Sequence, residues 1–400
     1  MKEPPSTWLI NSASALVALS LLAAGGCNQI KHGSYETHRS KFPLVYEYKY
    51  HYGGSFVPDL TVYAPYTEMP IYQGPPRNFV DQDGALIPEL PATTADLRTS
   101  LALQPRDVST TPTFQRVAIL DWHFIAVQIV DPNQASFVVG SIPLDSTPYS
   151  MAITPDGTRI VTPVPVLQGS VATAPYVGVL NVQQMNIADR IALPTHATPH
   201  WIAITPDGKY AYVTDDGYDL TPNAASVYVI DLTTNTIAKT ITLPANWHLG
   251  HLVMDPEGST LYAVQDSPSN GIVMIDTLTN TVAAQISFAV SPDSYLAITP
   301  TGTRLYAAGI QASNGVGTYV VTVIDTATAS IIDNIALPNA SMPHIGRMVV
   351  TLDGESLFVN EDNSGTLYGF STKTDQLMGT IPTGIPDSYG RAAGALMIGQ

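Results

Sequence analysis

Five of the nine histidines in this 400-residue chain stand just ahead of short apolar runs: His196, His200, His248, His251 and His344. Comparable stretches carry Tyr149, Trp201, Asp293, Tyr295, Arg347, Asp387, Tyr389 and Arg391. A second acidic set, Asp215, Asp216, Asp219, Asp266, Glu361 and Asp362, closes or follows the next apolar run of its unit. Imidazoles and carboxylates facing one opening could bind a divalent metal or exchange protons. No His-x-His or His-Glu-x-x-His spacing fixes three ligands locally, so the metal, the catalytic residues and the cofactor all stay open. The alternative is that these histidines are solvated hydrogen-bonders in loops.

What must position them is a repeated unit, seen best from Pro199 to Pro244. WIAIT is nearly all apolar, as a strand buried on both faces should be. Thr205-Pro206-Asp207-Gly208 then supplies a fixed φ, a side-chain acceptor and a residue free to take φ > 0. Lys209 to Thr214 alternates, Val227 to Ile230 makes a third strand, and Asp231-Leu-Thr-Thr-Asn235 turns into a fourth from Thr236 to Leu243. Four antiparallel strands in about fifty residues make one propeller blade.

Two registers recur together. Pro155, Pro206, Pro256 and Pro300, with Leu352 next, are each followed two residues later by Gly157, Gly208, Gly258, Gly302 and Gly354. Independently, Asp131, Asn181, Asp231, Asp276, Asp325 and Ser371 end successive third strands. Such repetition means an array of stacked units. Both registers extend backwards, to Asp81 and to Pro105, where Ser100-Leu-Ala-Leu-Gln-Pro105 echoes Trp201-Ile-Ala-Ile-Thr-Pro206. Gly394 to Gly399 reads as an inner strand lacking partners, and residues 43–90 as three strands lacking an inner one. Joining them predicts an all-β, seven-bladed propeller whose last blade is closed by both termini. Six blades follow if the N-terminal region is decoration. Within that region Tyr46, Tyr48, Tyr50 and Tyr52 share one face of a strand, as an aromatic platform or as packing on the next blade.

AYVTDDG and LFVNEDN, with VYVIDLTTNTIAKTI and VTVIDTATASIIDNI, resemble the YVTN-family β-propellers of bacterial and archaeal envelopes, from about residue 117 to 382. The resemblance implies a propeller fold and an exported location. It leaves activity open, because the family holds both binding scaffolds and enzyme subunits. Quinone-dependent propellers carry a tryptophan motif in each blade, whereas only Trp122, Trp201 and Trp247 lie beyond the leader here.

Charged residues are only 12% of the chain and the net charge is −16. With no basic stripe to release counterions from phosphates, nucleic acid is not expected as a partner. Residues 1–26 read as a leader: Ala13 to Ala24 is apolar, and Ala24-Gly25-Gly26 precedes Cys27, the single cysteine. This resembles a bacterial lipoprotein signal, with Cys27 lipidated, residues 27–42 as a tether and 43–400 as the propeller. Asn28 after the cysteine implies, by the same resemblance, the outer membrane. A plain secretory signal with an incidental cysteine is the alternative.

Two functions follow. One is a lipid-anchored envelope scaffold that holds a protein or a small anionic or polyhydroxylated ligand at its channel mouth. Its candidate binding residues are Tyr149, His200, Trp201, His248, His251, Tyr295, His344 and Arg347. The other is a propeller enzyme of lactonase or lyase type using the same His/Asp-lined mouth. If the histidines titrate near pH 6.5, anion binding should weaken as pH rises from about 5.5 to 7.5.

Overall fold

The computed structural model describes residues 44–50, 59–63, 70–72, 105–110, 117–121, 125–130 and 393–399. It also describes 138–382 apart from 169–170, 173, 216–223, 246, 268–269, 289–294, 314–315, 338–344, 352 and 362–365. Among these residues the chain is all-β, with seven four-stranded antiparallel sheets and a two-stranded ribbon, Leu167–Gln168 with Val171–Ala172.

The unit from Pro199 onward forms one sheet in chain order: Pro199–Ile204, Tyr210–Asp215, Ala224–Asp231 and Thr236–Ala245. Its turns follow from their residues. Gly208 takes φ 70, and the Asp207 carboxylate accepts from the Thr205 hydroxyl at 2.7 Å and the Lys209 N–H at 3.0 Å. Asp231 accepts from the N–H and hydroxyl of Thr233 at 2.7 and 2.6 Å, while Asn235 enters the left-handed region at φ 53. Asn280, Ala329, Met185 and Asp375 hold that same position with φ 54, 50, 54 and 54.

Six sheets take their strands in chain order and one departs from that plan. The strand Ala393–Gly399 pairs antiparallel with Leu44–Tyr50, from Leu44 opposite Gly399 to Tyr50 opposite Ala393. Asp59–Tyr63 and Pro70–Tyr72 complete that sheet. In the sheet that follows, Pro105 opens the strand Pro105–Thr110 and faces Asp121, the place that Pro199 holds opposite Asp215. The echo of Trp201–Pro206 therefore misled. Proline is tolerated at the first residue of a strand, where its missing N–H breaks no ladder.

Packing sets the order of the sheets. The first strands lie beside one another in succession: Pro105–Thr110, Ala152–Ile153, Pro199–Ile204, His248–Met254, Leu296–Ile298, Ile345–Val350, then Ala393–Gly399, which adjoins Pro105–Thr110. Apolar clusters fill the spaces between sheets. One joins Val161 and Val179 to Val213 and Tyr228, and another joins Tyr212 and Val227 to Leu261 and Val273. Second and third strands are buried almost throughout, as in Ser356–Glu361, whereas fourth strands such as Ser330–Ala336 bury one residue in seven. Each fully buried Val, Leu or Ile contributes roughly 1.5–3 kcal/mol.

Neighbouring sheets also interlock through the turns. Built on Gly208, a Cβ would meet Pro155 Cδ of the preceding sheet at 3.2 Å, and on Gly258 it would meet Pro206 Cδ at 2.9 Å. Tyr212 donates to Asn280 Oδ1 at 2.8 Å and Arg159 to the Leu232 carbonyl at 2.6 Å, each across a sheet boundary.

Candidate functional site

At the end opposite these turns, each first strand begins beside the end of its second strand. The pairing there skips. Pro199 faces Asp215 but Ile202 faces Val213; Leu249 faces Gln265 but Leu252 faces Ala263; Ile345 faces Glu361 but Met348 faces Val359. Each skip is a bulge, over His200-Trp201, Gly250-His251 and Gly346-Arg347, and a bulge re-aims side chains that strict alternation would bury. Trp201, His251 and Arg347 are structurally equivalent, each seven residues before its turn glycine. Tyr295 and Ser150 hold the same position before Gly302 and Gly157.

These equivalent positions come together on one rim. The Trp201 ring lies 5.1 Å from His251 and 5.5 Å from Tyr295, both edge-on. His251 and Tyr295 are 5.1 Å apart, and the Arg347 guanidinium carbon sits 5.3 Å from the Tyr295 centroid. Four successive sheets thus supply an indole, an imidazole and a phenol in mutual contact, with a guanidinium over the phenol ring. His251 Nδ1 accepts the Leu296 N–H at 3.2 Å. Burial, with the nearby Arg347 charge, pulls its pKa down to about 3, so the ring is neutral in the physiological range. His251 therefore cannot supply the titration between pH 5.5 and 7.5 that its residue type alone suggests.

A second layer lies one residue earlier. Tyr149 and His200 pack with ring centroids 4.1 Å apart, and Ser150 Oγ donates to the His200 carbonyl at 2.8 Å. Ser150 is held in turn by the Thr162 hydroxyl, which donates to its carbonyl at 2.9 Å. His248 begins its strand, partly buried and opposite Ser267, three residues before the rim position. His196 is exposed in a tight turn at φ 73, where Ala197 N–H reaches the Pro194 carbonyl. His344, Asp293, Asp387, Tyr389 and Arg391 lie outside the described residues, as do Asp216, Asp219, Asp362 and Cys27.

Asp215 and Glu361 are buried at the ends of their strands and are not loop groups. Asp215 ends its strand fully buried, accepting from the Thr198 N–H at 2.9 Å, the Thr198 hydroxyl at 3.3 Å and the Tyr228 hydroxyl at 2.8 Å. It thereby ties the start of the first strand to the second and third. Burial, reinforced by the Asp215 carboxylate, pushes the Tyr228 phenol far above its usual range. Glu361 is buried at the matching position, where burial and its charge raise the pKa of Tyr368. Gln265 holds the same place in the sheet that follows that of Asp215 and accepts from Gln285. The bulge itself is supported by Thr214, whose hydroxyl oxygen accepts the Trp201 N–H at 3.1 Å. Among the described residues, no group of three or more His, Cys, Asp or Glu could hold a metal ion.

Ser150, Thr198, Thr214 and Tyr228 were not singled out from sequence. Counting back seven residues from each turn glycine finds Ser150 and aligns Trp201 with His251, Tyr295 and Arg347. Counting forward seven finds Asp215, Gln265 and Glu361.

No family model and no curated protein matches the chain. Among solved structures it is similar to hydrazine synthase from Kuenenia stuttgartiensis, with a TM-score of 0.61 and 21% identity over 70% of this chain and 87% of that one. At that identity the likeness speaks for the fold alone. Together with the four-stranded antiparallel sheets, it points to a β-propeller.

Proposed function

We propose that this chain is a seven-bladed, ring-closed propeller of the YVTN type that serves as a binding scaffold at the cell envelope. Closure is supported by the pairing of Leu44–Tyr50 with Ala393–Gly399 and by the unbroken succession of first strands. The envelope location rests on the apolar leader ahead of Cys27 and on the YVTN-like repeats. Lipidation of Cys27 would hold the protein at the outer membrane, and Cys27→Ser would then move it from the membrane to the soluble fraction.

One observation carries the binding role. Equivalent rim positions in four successive sheets bear Trp201, His251, Tyr295 and Arg347 in contact, although the repeat requires nothing alike there. Aromatic and guanidinium groups gathered in this way suit stacking and charge-assisted hydrogen bonds to a small anionic or polyhydroxylated ligand. The test is a thermal-shift survey of small anions and sugars on the wild type and on Trp201→Ala/Tyr295→Ala. A ligand that stabilises the wild type and leaves the double variant unmoved is the expected result. A ligand that stabilises both equally would put the site elsewhere.

A further inference from the structure

Building on the rim as a binding site, we infer that its ligand is a glycan chain of two or more pyranose units. The chain lies against the indoles of Trp201 and Trp247, and its oxygens accept from the ring N–H of His251. Both indoles are half-buried and pack on one apolar cluster, Trp201 from its own sheet and Trp247 from the next. Trp247 is fixed just ahead of the strand His248–Met254, where its backbone N–H donates to the Pro244 carbonyl at 3.3 Å. It stands four residues before His251, roughly 10–13 Å further out at about 3.3 Å per strand residue. That separation exceeds one sugar ring and suits a chain.

Three N–H donors select the ligand. An indole N–H only donates, and a buried one ordinarily finds an acceptor. Among the described residues neither Trp201 Nε1–H nor Trp247 Nε1–H has one. His251 Nδ1 accepts the Leu296 N–H, so the proton of its neutral ring belongs on Nε2, likewise without an acceptor among those residues. The rings beside Trp201 are inclined to it, His251 by 74° and Tyr295 by 85°, so neither stacks on the indole. A pyranose answers both features. Its C–H face, weakly positive, lies on the negative face of an aromatic ring, while hydroxyl and ring oxygens at its edge accept hydrogen bonds. A purely aromatic ligand would cover the same surface yet leave each N–H dry and unpaired, which weakens binding. All three donors are uncharged, so the choice does not turn on the net charge of the rim.

The full chain would be titrated by calorimetry with cellotriose, maltotriose and triacetylchitotriose. Glucose, N-acetylglucosamine and benzyl alcohol serve as the single-ring and aromatic counterparts. The expected result is at least one trisaccharide that binds tenfold or more tightly than its monosaccharide and than benzyl alcohol. Trp201→Ala, Trp247→Ala and His251→Phe should each weaken that trisaccharide by tenfold or more. Because both indoles pack on the core, Trp201→Phe and Trp247→Phe keep a ring on the apolar cluster and remove only the N–H and part of the stacking surface. They should still weaken it threefold or more. No binding of any trisaccharide, a monosaccharide bound as tightly, or unchanged affinity in both Trp247 variants overturns the inference. Benzyl alcohol bound as tightly and lost in Trp201→Ala overturns it too, while leaving the rim as the site. A trisaccharide bound equally by the wild type and by all the Trp201, Trp247 and His251 variants would remove the rim reading itself.

Discussion

The two ends of the sheets treat repetition in opposite ways. At the turn end, equivalent positions carry nearly the same residues. Asp156, Asp207 and Asp353 each accept from a threonine two residues back, and Gly208, Gly258, Gly302 and Gly354 each press on a proline of the preceding sheet. Where the residue changes, the bond is remade: Asp255 replaces the threonine and accepts from Ser259 at 2.7 and 2.6 Å. At the opposite end the equivalent residues are Ser150, Trp201, His251, Tyr295 and Arg347, which share no chemistry. A position that every unit fills alike serves the unit. A position that every unit fills differently, with side chains drawn into contact, serves the whole.

Cutting both ends at once should have the largest effect. Removing the last eight residues takes away Ala393–Gly399 and exposes Leu44–Tyr50 and both flanking first strands. At roughly 25 cal/mol per Å² of apolar surface, the loss is several kcal/mol, with a melting temperature lowered by 10 °C or more. An unchanged melting curve would refute ring closure and detach the comparison from any common frame.

Next comes Asp215→Ala, which should cost about 3 kcal/mol in denaturant unfolding. The loss leaves the Thr198 N–H and the Tyr228 hydroxyl without their acceptor in a dry environment. Because Asp215 braces the start of the strand bearing Trp201, this variant should impair the rim as well. A loss under 0.5 kcal/mol would mean that water or another group replaces the carboxylate.

Acid should separate the two ends by pH window. His251 has a folded pKa of about 3 against an ordinary 6.5, so the unfolded chain takes up its proton first. Its contribution is intact above about pH 6.5 and falls as pH drops towards 3, by about 1 kcal/mol at pH 5.5 and about 2–3 kcal/mol at pH 4.5. Asp207 behaves differently: the Thr205 hydroxyl and the N–H and ammonium of Lys209 hold its pKa at about 2. Its stabilisation is present above about pH 4 and is lost between there and pH 2. Asp207 is half exposed, so solvent screening keeps that loss well below 1 kcal/mol. His251→Phe should flatten the stability profile between pH 4.5 and 6.5, whereas Asp207→Asn should leave that range untouched. Identical profiles for the wild type and His251→Phe would show that the imidazole is not shielded.

A smaller effect tests the turn end alone. Gly258→Ala must adopt φ 75 and bring its Cβ within 2.9 Å of Pro206 Cδ, at a cost of about 1–2 kcal/mol. Ligand binding at the far rim should not change. A variant of wild-type stability would mean that the proline contact yields freely.

Much of the four-strand unit was legible because turns and apolar runs are local properties. Thr205-Pro206-Asp207-Gly208 fixes its own geometry, and the runs around it appear as Pro199–Ile204 and Tyr210–Asp215 within two residues of the expected bounds. The rim was legible only in part. Tyr149, His200, Trp201, His251, Tyr295 and Arg347 do gather, in the two layers described above. A bulge, however, belongs to the pairing of two strands, so nothing within His248–Met254 alone reveals that His251 is turned towards Trp201. Asp215 was read as a loop carboxylate, since the need of Thr198 and Tyr228 for an acceptor arises only after folding. The acidity of His251 likewise comes first from its burial in the fold and then from Arg347, ninety-six positions later in the chain.

The smallest effect concerns Ala329. It holds the fifth position of its turn at φ 50, where Asn235 and Asn280 sit in the two preceding sheets. An alanine there pays for the left-handed conformation, roughly 1 kcal/mol, with no side-chain hydrogen bond to offset it. Asparagine tolerates that region and glycine adopts it freely, although glycine also gains entropy in the unfolded chain. The turn around Ala329 is otherwise complete, because Asp325 accepts from the N–H and hydroxyl of Thr328, each at 2.8 Å. Ala329→Asn should therefore stabilise by about 0.5–1 kcal/mol, seen as a higher denaturant midpoint with an unchanged slope. Ala329→Gly should gain less. Affinity at the rim should be the same in both variants, because this turn lies at the other end of its sheet. If Ala329→Asn is no more stable than the wild type, the alanine is held there by packing and not by tolerance, and the turn end is less uniform than its hydrogen bonds suggest.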